Sequence, residues 1–227
     1  PILHYVLDLC EELGAETVVV VGHQAAAVRE ACSSWPRLGF ATQEPQLGTG
    51  HDVQVALGAL PADAALPVLV LAGDVPLLRA GTLRALCALR EDTGAAAALV
   101  SFKTSSPGAY GRVLRDGAGR VSGIIEAKDA SAEQLRVDEV NASLYVFDGE
   151  KLGATIRHLR PNNAQGEFYL TDVIGLMVAK GERVEALLMS DPTEATGVNT
   201  AGELSGVEGE LYARRTMALV GAGVSIE

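Results

Sequence analysis

The sequence has few aromatic residues, few cysteines and no long apolar run. Aromatic residues make up 4% of its 227 residues, while alanine, valine, leucine and glycine abound, which favours closely packed helices on a sheet. The longest apolar stretches, such as residues 95–100, are too short to span a bilayer, so no membrane partner is predicted. Cys10, Cys32 and Cys87 are odd in number and widely spaced, which indicates reduced thiols in a cytoplasmic protein.

Positive charge is also scarce. The chain has 18 lysines and arginines against 29 acidic residues, which gives a net charge of −11 at pH 7. It shows no basic stripe of the kind that nucleic-acid-binding proteins present, so nucleic acid is not a predicted partner. An acidic protein that binds a nucleotide must instead rely on a metal ion, on backbone N–H groups or on a few well-placed cations.

Several common nucleotide-binding and catalytic patterns are missing. There is no G-x-x-x-x-G-K-[ST] phosphate loop, and no G-x-G-x-x-G follows a predicted strand. No catalytic triad is recognisable either. A Walker-type nucleotide site is therefore unsupported, and any nucleotide chemistry must use other residues.

The chain does have a regular alternation of apolar strands and amphipathic helices. Continuous apolar strands between helices are typical of a doubly wound, parallel sheet. The second half differs, since two strands flank a glycine turn in the manner of a hairpin. The expected strands are residues 17–22, 38–43, 67–73, 95–102, 111–116, 120–127, 139–149 and 183–189, and the expected helices are 2–13, 25–34, 51–60, 81–92, 150–159, 171–180 and 201–217.

One carboxylate stands inside an apolar run. The stretch LVLAGDVPLL, residues 69–78, places Asp74 at the carboxyl end of the third expected strand, where open sheets bind ligands. A buried and unpaired charge is costly, so a ligand is one explanation. The alternative is an aspartate that caps the next helix or pins the turn before Pro76. Position alone does not separate the two.

A glycine-rich loop follows the second expected strand. In QEPQLGTGHDV, residues 43–53, Gly48 and Gly50 let the backbone approach a flat ligand closely, and Thr49 adds a hydroxyl. Gln43 offers a donor and an acceptor on one amide, the mixed pairing that a uracil edge requires. The alternative is an ordinary glycine loop that opens a helix.

Three further polar residues each allow two interpretations. Glu126 could accept hydrogen bonds from two sugar hydroxyls, or form an exposed pair with Lys128. Thr171, in NNAQGEFYLTD, could face a ligand or cap the following helix. Asn199 could bind a ligand or act as the N-cap of the last helix.

The order of these motifs is more informative than any one of them. Together they resemble the uridylyltransferase domain of the bifunctional N-acetylglucosamine-1-phosphate uridylyltransferase/glucosamine-1-phosphate acetyltransferase family, over nearly all of the chain. The motifs that carry the resemblance are, in order, QLGTGH, LAGDVPLL, YGRV, IIEAKDA, EVN, NAQGEFYLTD and GVNT.

The resemblance implies a fold and a domain layout. The fold is an α/β, three-layer Rossmann-like nucleotidyltransferase fold of the GT-A type, with a mostly parallel mixed sheet and helices on both faces. Residues 1–227 would form a single domain. Its nucleotide-binding half is expected at about 1–105, its sugar-binding half at about 106–200, and a C-terminal helix at about 201–227.

The resemblance also implies an activity and its residues. The family joins UTP and N-acetylglucosamine 1-phosphate to give UDP-N-acetylglucosamine and pyrophosphate, with Mg²⁺, and forms homotrimers mainly through its acetyltransferase domain. The implied roles are uracil binding by Gln43, Gly48 and Thr49, lining of the nucleotide by Ala72 (where the family usually has tyrosine) and Gly73, Mg²⁺ binding by Asp74 and Asn199, binding of the acetylated sugar by Gly111, Glu126 and Asn141, and contact near the sugar's phosphate by Tyr169 and Thr171.

The sequence departs from the family pattern in three ways. In the family, a strand and a loop of the form L-A-A-G-x-G-T-R-M, followed by P-K, precede the segment that corresponds to PILHYVLDL, with which this sequence opens. The family's acetyltransferase domain follows the segment that corresponds to GAGVSIE, with which this sequence closes. Ala142 and Ser143 stand where the family usually has Thr-Gly or a similar small pair. Without that loop's arginine and lysine, we expect the chain by itself to be severely impaired.

Two other functions fit the same residues. One is a different sugar-1-phosphate nucleotidyltransferase, with another base or sugar. The other is a non-catalytic module that binds a nucleotide sugar.

Overall fold

Strands and helices alternate along the chain as expected. The computed structural model describes residues 1–35, 37–61 and 66–225, so the last two residues of the expected C-terminal segment lie outside the described part. The strands are β1 (Thr17–Val21), β2 (Leu38–Thr42), β3 (Pro67–Val70), β4 (Ala97–Lys103), β5 (Arg112–Arg115), β6 (Val121–Ile125), β7 (Glu139–Asp148) and β8 (Val184–Leu188). The helices are α1 (Ile2–Glu12), α2 (Ala25–Ala31), α3 (Thr49–Leu57), α4 (Ala80–Thr93), α5 (Gly149–Ile156), α6 (Thr171–Ala179) and α7 (Ala201–Gly221), with short 3₁₀ turns at Gln134–Arg136 and Pro192–Ala195.

Most elements are one to three residues shorter than the sequence predicted, and β3 and α2 are two examples. β3 ends at Val70 rather than at residue 73, because Ala72 and Gly73 lead into the turn at Asp74. α2 ends at Ala31, where two serines follow that favour turns over helix.

The strands form two sheets. β1 and β2 pair in parallel by themselves, and the other six form a mixed sheet in the order β6-β5-β7-β4-β8, with β3 also paired to β7. β4 and β8 are parallel, whereas β7 runs antiparallel to β3, β4 and β5. The mixed α/β fold is thus confirmed, while the pairing is more antiparallel than expected. An apolar strand pattern reports burial on both faces but not the direction of the neighbouring strand.

β4 lies in the centre of three layers. Its side chains alternate between two faces, so that Leu99 joins one apolar cluster and Val100 the other. Leu152 of α5 and Ile174 of α6 cover the first face, and Leu83 of α4 covers the second. All five of these side chains are fully buried, so both faces of β4 pack into the core.

The register of β7 against β4 is interrupted once. Leu99 pairs with Tyr145 and Ser101 with Asn141, so β7 advances four residues while β4 advances two. Within this bulge Ser143 has a φ of 57°, in the left-handed region. Bulges of this kind redirect side chains and are frequent beside functional sites.

α7 contacts the rest of the molecule through a small part of its surface. Val207 is buried, and the other described residues of the helix are exposed or partly exposed. Arg214 donates from Nη1 to the Leu77 carbonyl at 2.6 Å and from Nε to Glu210 at 2.8 Å. Neither α7 nor another helix in the described part of the chain has the length and apolar character needed to cross a membrane.

Candidate active site

Seven of the twelve predicted site residues line one cavity. It has a volume of about 1560 Å³ and is bordered by β1 on one side and by β3 on the other. The other five, Gly48, Asp74, Gly111, Asn141 and Asn199, are not among the lining residues. The lining residues that the sequence predicted are Gln43, Thr49, Ala72, Gly73, Glu126, Tyr169 and Thr171.

The glycine-rich loop is fastened to the segment that precedes α6. Phe168 donates its N–H to the Leu47 carbonyl at 2.8 Å, and Gly50 donates to the Phe168 carbonyl at 2.7 Å. The Leu170 N–H donates to the Thr49 hydroxyl at 3.1 Å. We call these three hydrogen bonds the backbone clasp. It joins residues 47–50 to residues 168–170, the two stretches expected to bind the nucleotide and the sugar phosphate.

The glycines are required by this clasp. Gly48 has a φ of 106°, and a Cβ there would lie 2.8 Å from the Glu167 Cβ and 2.9 Å from the Phe168 carbonyl oxygen. A Cβ on Gly50 would lie 2.9 Å from the same oxygen. All three distances are shorter than the contacts that real Cβ atoms make. The close approach that the sequence predicted at these glycines is therefore made to the chain's own backbone. Gln43 supports the loop, since its Nε2 donates to the Gly48 carbonyl at 3.0 Å.

Asp74 and Asn199 converge on a glycine. A Cβ built on Gly197 would lie 3.1 Å from Asp74 Oδ2 and 3.7 Å from Asn199 Nδ2. The missing side chain leaves a small space between the carboxylate and the amide. The Val198 N–H also donates to the Asp74 carbonyl at 3.0 Å, which fixes the two segments together.

Neither residue has the capping role that was its alternative. The N-cap of α4 is Arg79, five residues beyond Asp74. The N-cap of α7 is Thr200, which forms a capping box with Glu203. Helix capping therefore does not account for the side chain of either residue.

The oxygen atoms of Asp74 and Asn199 suit a hard cation that takes its remaining ligands from the substrate. Mg²⁺ is commonly held by one or two carboxylates together with substrate phosphates, and an amide oxygen is an acceptable further ligand. At Asn199 the ligand atom would be Oδ1, which takes the place of the Nδ2 beside Gly197 when the amide is rotated by half a turn. Among the described residues, no group of three or more histidines, cysteines or acids forms a complete metal site. A cation at Asp74 and Asn199 would thus depend on phosphate oxygens to fill its coordination.

Glu126 lies beside a glycine and a hydroxyl. The Thr171 hydroxyl donates to Glu126 Oε1 at 2.9 Å, so Thr171 does not cap α6. A Cβ on Gly111 would lie 3.4 Å from both carboxylate oxygens. Burial raises the pKa of the Glu126 carboxyl, and the nearby carboxylates of Asp172 and Asp129 raise it further against the opposing effect of Thr171.

Asn141 is held by its own strand and by the residue that precedes β5. Its N–H donates to the Gly111 carbonyl at 2.9 Å, its Nδ2 donates to the Tyr145 hydroxyl at 2.6 Å, and its Oδ1 accepts from the Ser143 N–H at 3.1 Å. Burial, more than any other cause, raises the pKa of the Tyr145 phenol, so this hydroxyl is neutral at ordinary pH.

Three cavity residues were missed by the sequence reasoning. Ser143 and Tyr145 line the cavity on β7, and Gln165 accepts a hydrogen bond from the Tyr169 hydroxyl at 3.1 Å. A signal existed for Ser143, because it stands where the family usually has a glycine. Asn141, Ser143 and Tyr145 also stand at every second position of a strand, which is the spacing of side chains on one face of a sheet. The bulge prevents that spacing from showing which of them face the cavity.

Comparisons with known proteins agree with the motif order. Bifunctional protein GlmU of Alkalilimnicola ehrlichii is 45% identical over 227 residues, which is 100% of this chain and 48% of that protein. The GlmU of Kineococcus radiotolerans is 46% identical over 210 residues, 92% of this chain and 43% of that protein. The chain therefore spans about half the length of the curated relatives it matches, and the resemblance inferred from the motifs is confirmed.

A solved structure supports the fold. The crystal structure of UDP-glucose pyrophosphorylase complexed with UDP-glucose superposes with a TM-score of 0.65, covering 83% of this chain and 78% of that one at 15% identity. The sequence profile of the MobA-like NTP transferase domain matches residues 1–137. Since that match extends over more than half of the chain, the chain belongs to the MobA-like NTP transferase domain family and is a nucleotidyltransferase domain.

Proposed function

We propose that this domain transfers UMP from UTP to N-acetylglucosamine 1-phosphate, giving UDP-N-acetylglucosamine and pyrophosphate. The observation that carries the proposal is the backbone clasp. It holds Thr49, on the nucleotide side of the cavity, against Tyr169 and Thr171 on the sugar side. A transferase that joins two substrates needs both subsites fixed relative to each other.

The reaction needs no nucleophile from the protein. A phosphate oxygen of the sugar phosphate attacks the α-phosphorus of UTP and forms a new P–O bond. The bond from the α-phosphorus to the oxygen that bridges to the β-phosphate breaks, and pyrophosphate leaves. The domain's task is to position the phosphates and to offset their charge, which agrees with a sequence that has no triad.

On the nucleotide side, two side chains fit a uracil edge. Gln43 uses Nε2 to support the Gly48 carbonyl and can accept from the uracil N3–H through Oε1. The Thr49 hydroxyl accepts from Leu170 and can donate its own proton to a uracil carbonyl. Ala72 and Gly73 border the same cavity and leave space for the ribose.

On the sugar side, a carboxylate and an amide could bind different polar groups of the sugar. The Glu126 carboxylate can accept from sugar hydroxyls, with no side chain at Gly111 to obstruct them. The Asn141 amide is oriented by Tyr145 and Ser143 and can bind a polar substituent of the sugar.

Asp74 and Asn199 would hold Mg²⁺. When bound, the ion would offset the charge of the phosphates during transfer. Gly197 keeps the space between the two ligands open. Nucleotidyltransferases related to this chain generally use a divalent metal.

The proposal is tested by measuring pyrophosphate release and nucleotide-sugar formation by the full-length protein with UTP and N-acetylglucosamine 1-phosphate. UTP should be preferred over dTTP, CTP and GTP, and chelation of the metal should abolish turnover. Preference for another base or sugar would favour a different nucleotidyltransferase. Binding of UDP-N-acetylglucosamine without turnover would favour a non-catalytic module. Turnover by residues 1–227 alone at the full-length rate would contradict the expected impairment.

Asp74→Ala in the full-length protein should lower Mg²⁺-dependent turnover about a hundredfold or more, because one of two protein ligands to the ion is lost. The matched control is Asp92→Ala, since Asp92 is an exposed aspartate on α4. Turnover of Asp74→Ala within tenfold of wild type would rule out the metal assignment, provided that thermal unfolding shows both variants folded.

A further inference from the structure

The bulge in β7 exposes one side chain that the proposed function does not use. Ser143 is exposed and lines the cavity, although Ala142 and Leu144 on either side of it are 5% and 0% exposed. The pairing of β7 with β3 ends at Tyr145, and its pairing with β5 is at Val140. The strand edge between these two points therefore opens toward the cavity.

The backbone at Ser143 is in a conformation that side chains oppose. With a φ of 57°, it shares the left-handed region with only one other described non-glycine residue, Gln24. Contact between Cβ and the backbone disfavours this region for residues other than glycine, asparagine and aspartate. Residues held in such a conformation are concentrated at active sites and ligand-binding sites, and Ser143 lies in a cavity wall.

The neighbours of Ser143 belong to the expected sugar subsite. Its N–H is bonded to Asn141, whose own N–H is bonded to Gly111, and Gly111 lies against the Glu126 carboxylate. The Ser143 hydroxyl also lies near enough to the Tyr145 phenol to offset part of the rise in that group's pKa. Ser143 and Glu126 thus line the same cavity, and Asn141 and Gly111 connect them through hydrogen bonds and contacts.

We propose that the Ser143 hydroxyl forms a direct hydrogen bond with the sugar of the bound ligand and contributes to the choice of sugar. The inference rests on the proposed function. A hydroxyl both donates and accepts, whereas the Glu126 carboxylate only accepts. Ser143 can therefore serve either a ring hydroxyl or the carbonyl of an acylated amine, the polar groups of an N-acylated hexose.

Two substitutions separate the hydroxyl from the backbone. Ser143→Ala removes the hydroxyl and keeps the strained conformation. Ser143→Gly removes both, and glycine adopts the conformation freely, so this variant should be at least as stable to heat as wild type. Ser205→Ala on exposed α7 is the matched control.

The experiment is calorimetric titration of the full-length protein with UDP-N-acetylglucosamine and, separately, with UTP. We expect both Ser143 variants to bind UDP-N-acetylglucosamine about threefold to tenfold more weakly. UTP affinity should stay within about twofold, and the KM for N-acetylglucosamine 1-phosphate should rise with little change in kcat.

The outcomes distinguish the two proposals. Wild-type affinity in both Ser143 variants, or a change in Ser143→Gly alone, would overturn the hydroxyl contact while leaving the proposed function intact. Equal weakening of UTP binding would also overturn it, because the contact would not be specific to the sugar. A wild-type protein that neither binds nor turns over these ligands would overturn the proposed function and, with it, this inference.

Discussion

At the scale of single residues, three polar side chains that stand near the start of a helix do not cap that helix. For Asp74, Thr171 and Asn199 the sequence allowed a local structural role. In each case the N-cap of the adjoining helix is another residue, namely Arg79, Leu170 and Thr200. Of the three, Thr171 is buried and needs a hydrogen-bond partner, Asp74 is half-buried and Asn199 is exposed. For Thr171 that partner is Glu126.

Glu126 should make ligand affinity depend on pH. Burial and nearby carboxylates raise the pKa of its carboxyl, and the ionised form accepts from sugar hydroxyls more strongly than the protonated acid does. Affinity for UDP-N-acetylglucosamine, whose diphosphate stays ionised, should therefore fall as pH falls through this raised pKa. Folding stability should shift in the opposite sense, since the folded chain binds this proton more tightly than the unfolded chain.

The matched variant is Glu126→Gln, which keeps the shape and removes the titration. It should bind UDP-N-acetylglucosamine more weakly at pH 7.5 and show a flat affinity profile in the acidic range. Calorimetric titrations over a pH series measure both effects. A variant whose affinity still declines in parallel with wild type would show that another group causes the pH dependence.

At the scale of secondary-structure elements, the backbone clasp explains why glycine is needed twice in the 48–50 stretch. Gly50 is inside α3, where glycine normally costs stability relative to alanine. Here the cost is outweighed because the Phe168 carbonyl approaches the helix backbone and bonds to the Gly50 N–H. The loop that opens α3 and the segment that opens α6 thus depend on each other.

Gly50→Ala should destabilise the fold by about 2 kcal/mol, because its Cβ would overlap both the buried Leu159 side chain and the Phe168 carbonyl. Gly153→Ala on α5 is the control, since no atom lies within 4 Å of its Cβ position and alanine favours helix. The control should be neutral or stabilising by up to about 1 kcal/mol. Denaturant unfolding of both variants measures the difference. Equal stability would mean that the clasp can yield without cost.

Much of the fold was predictable at this scale, and part of it was not. Apolar periodicity placed β4 at 95–102 against the observed Ala97–Lys103, and the final helix at 201–217 against Ala201–Gly221. It could not show that β7 runs between β3 and β4, because strand partners are set by long-range packing. The bulge at Ser143 was equally hidden, since a register shift leaves no trace in a pattern of period two.

At the scale of the whole molecule, α7 is connected to the loop that bears Asp74. Arg214 reaches from the helix to the carbonyl of Leu77, a residue that is 3% exposed. Tyr212 and Met217, by contrast, are 70% and 71% exposed, so the helix is held chiefly near Val207 and Arg214. The position of this long helix therefore bears on the loop that follows β3.

Arg214→Gln should loosen both ends of this connection. A hydrogen bond from a charged group to a buried carbonyl is lost, at a cost of about 2 kcal/mol. We expect faster amide hydrogen exchange in residues 75–78 and in the second half of α7, and weaker apparent Mg²⁺ affinity in turnover assays. Arg215→Gln is the control, because Arg215 is the exposed neighbour on the same helix. Identical exchange in both variants would refute the connection.

The backbone clasp also governs how two ligands affect each other. Because residues 47–50 and 168–170 share hydrogen bonds, a ligand that restricts the motion of one stretch also restricts that of the other. A nucleotide that immobilises the first stretch also immobilises the second, so the sugar phosphate loses less entropy when it follows. The two ligands should bind with positive cooperativity. Each then raises the affinity for the other by the same factor, whichever binds first.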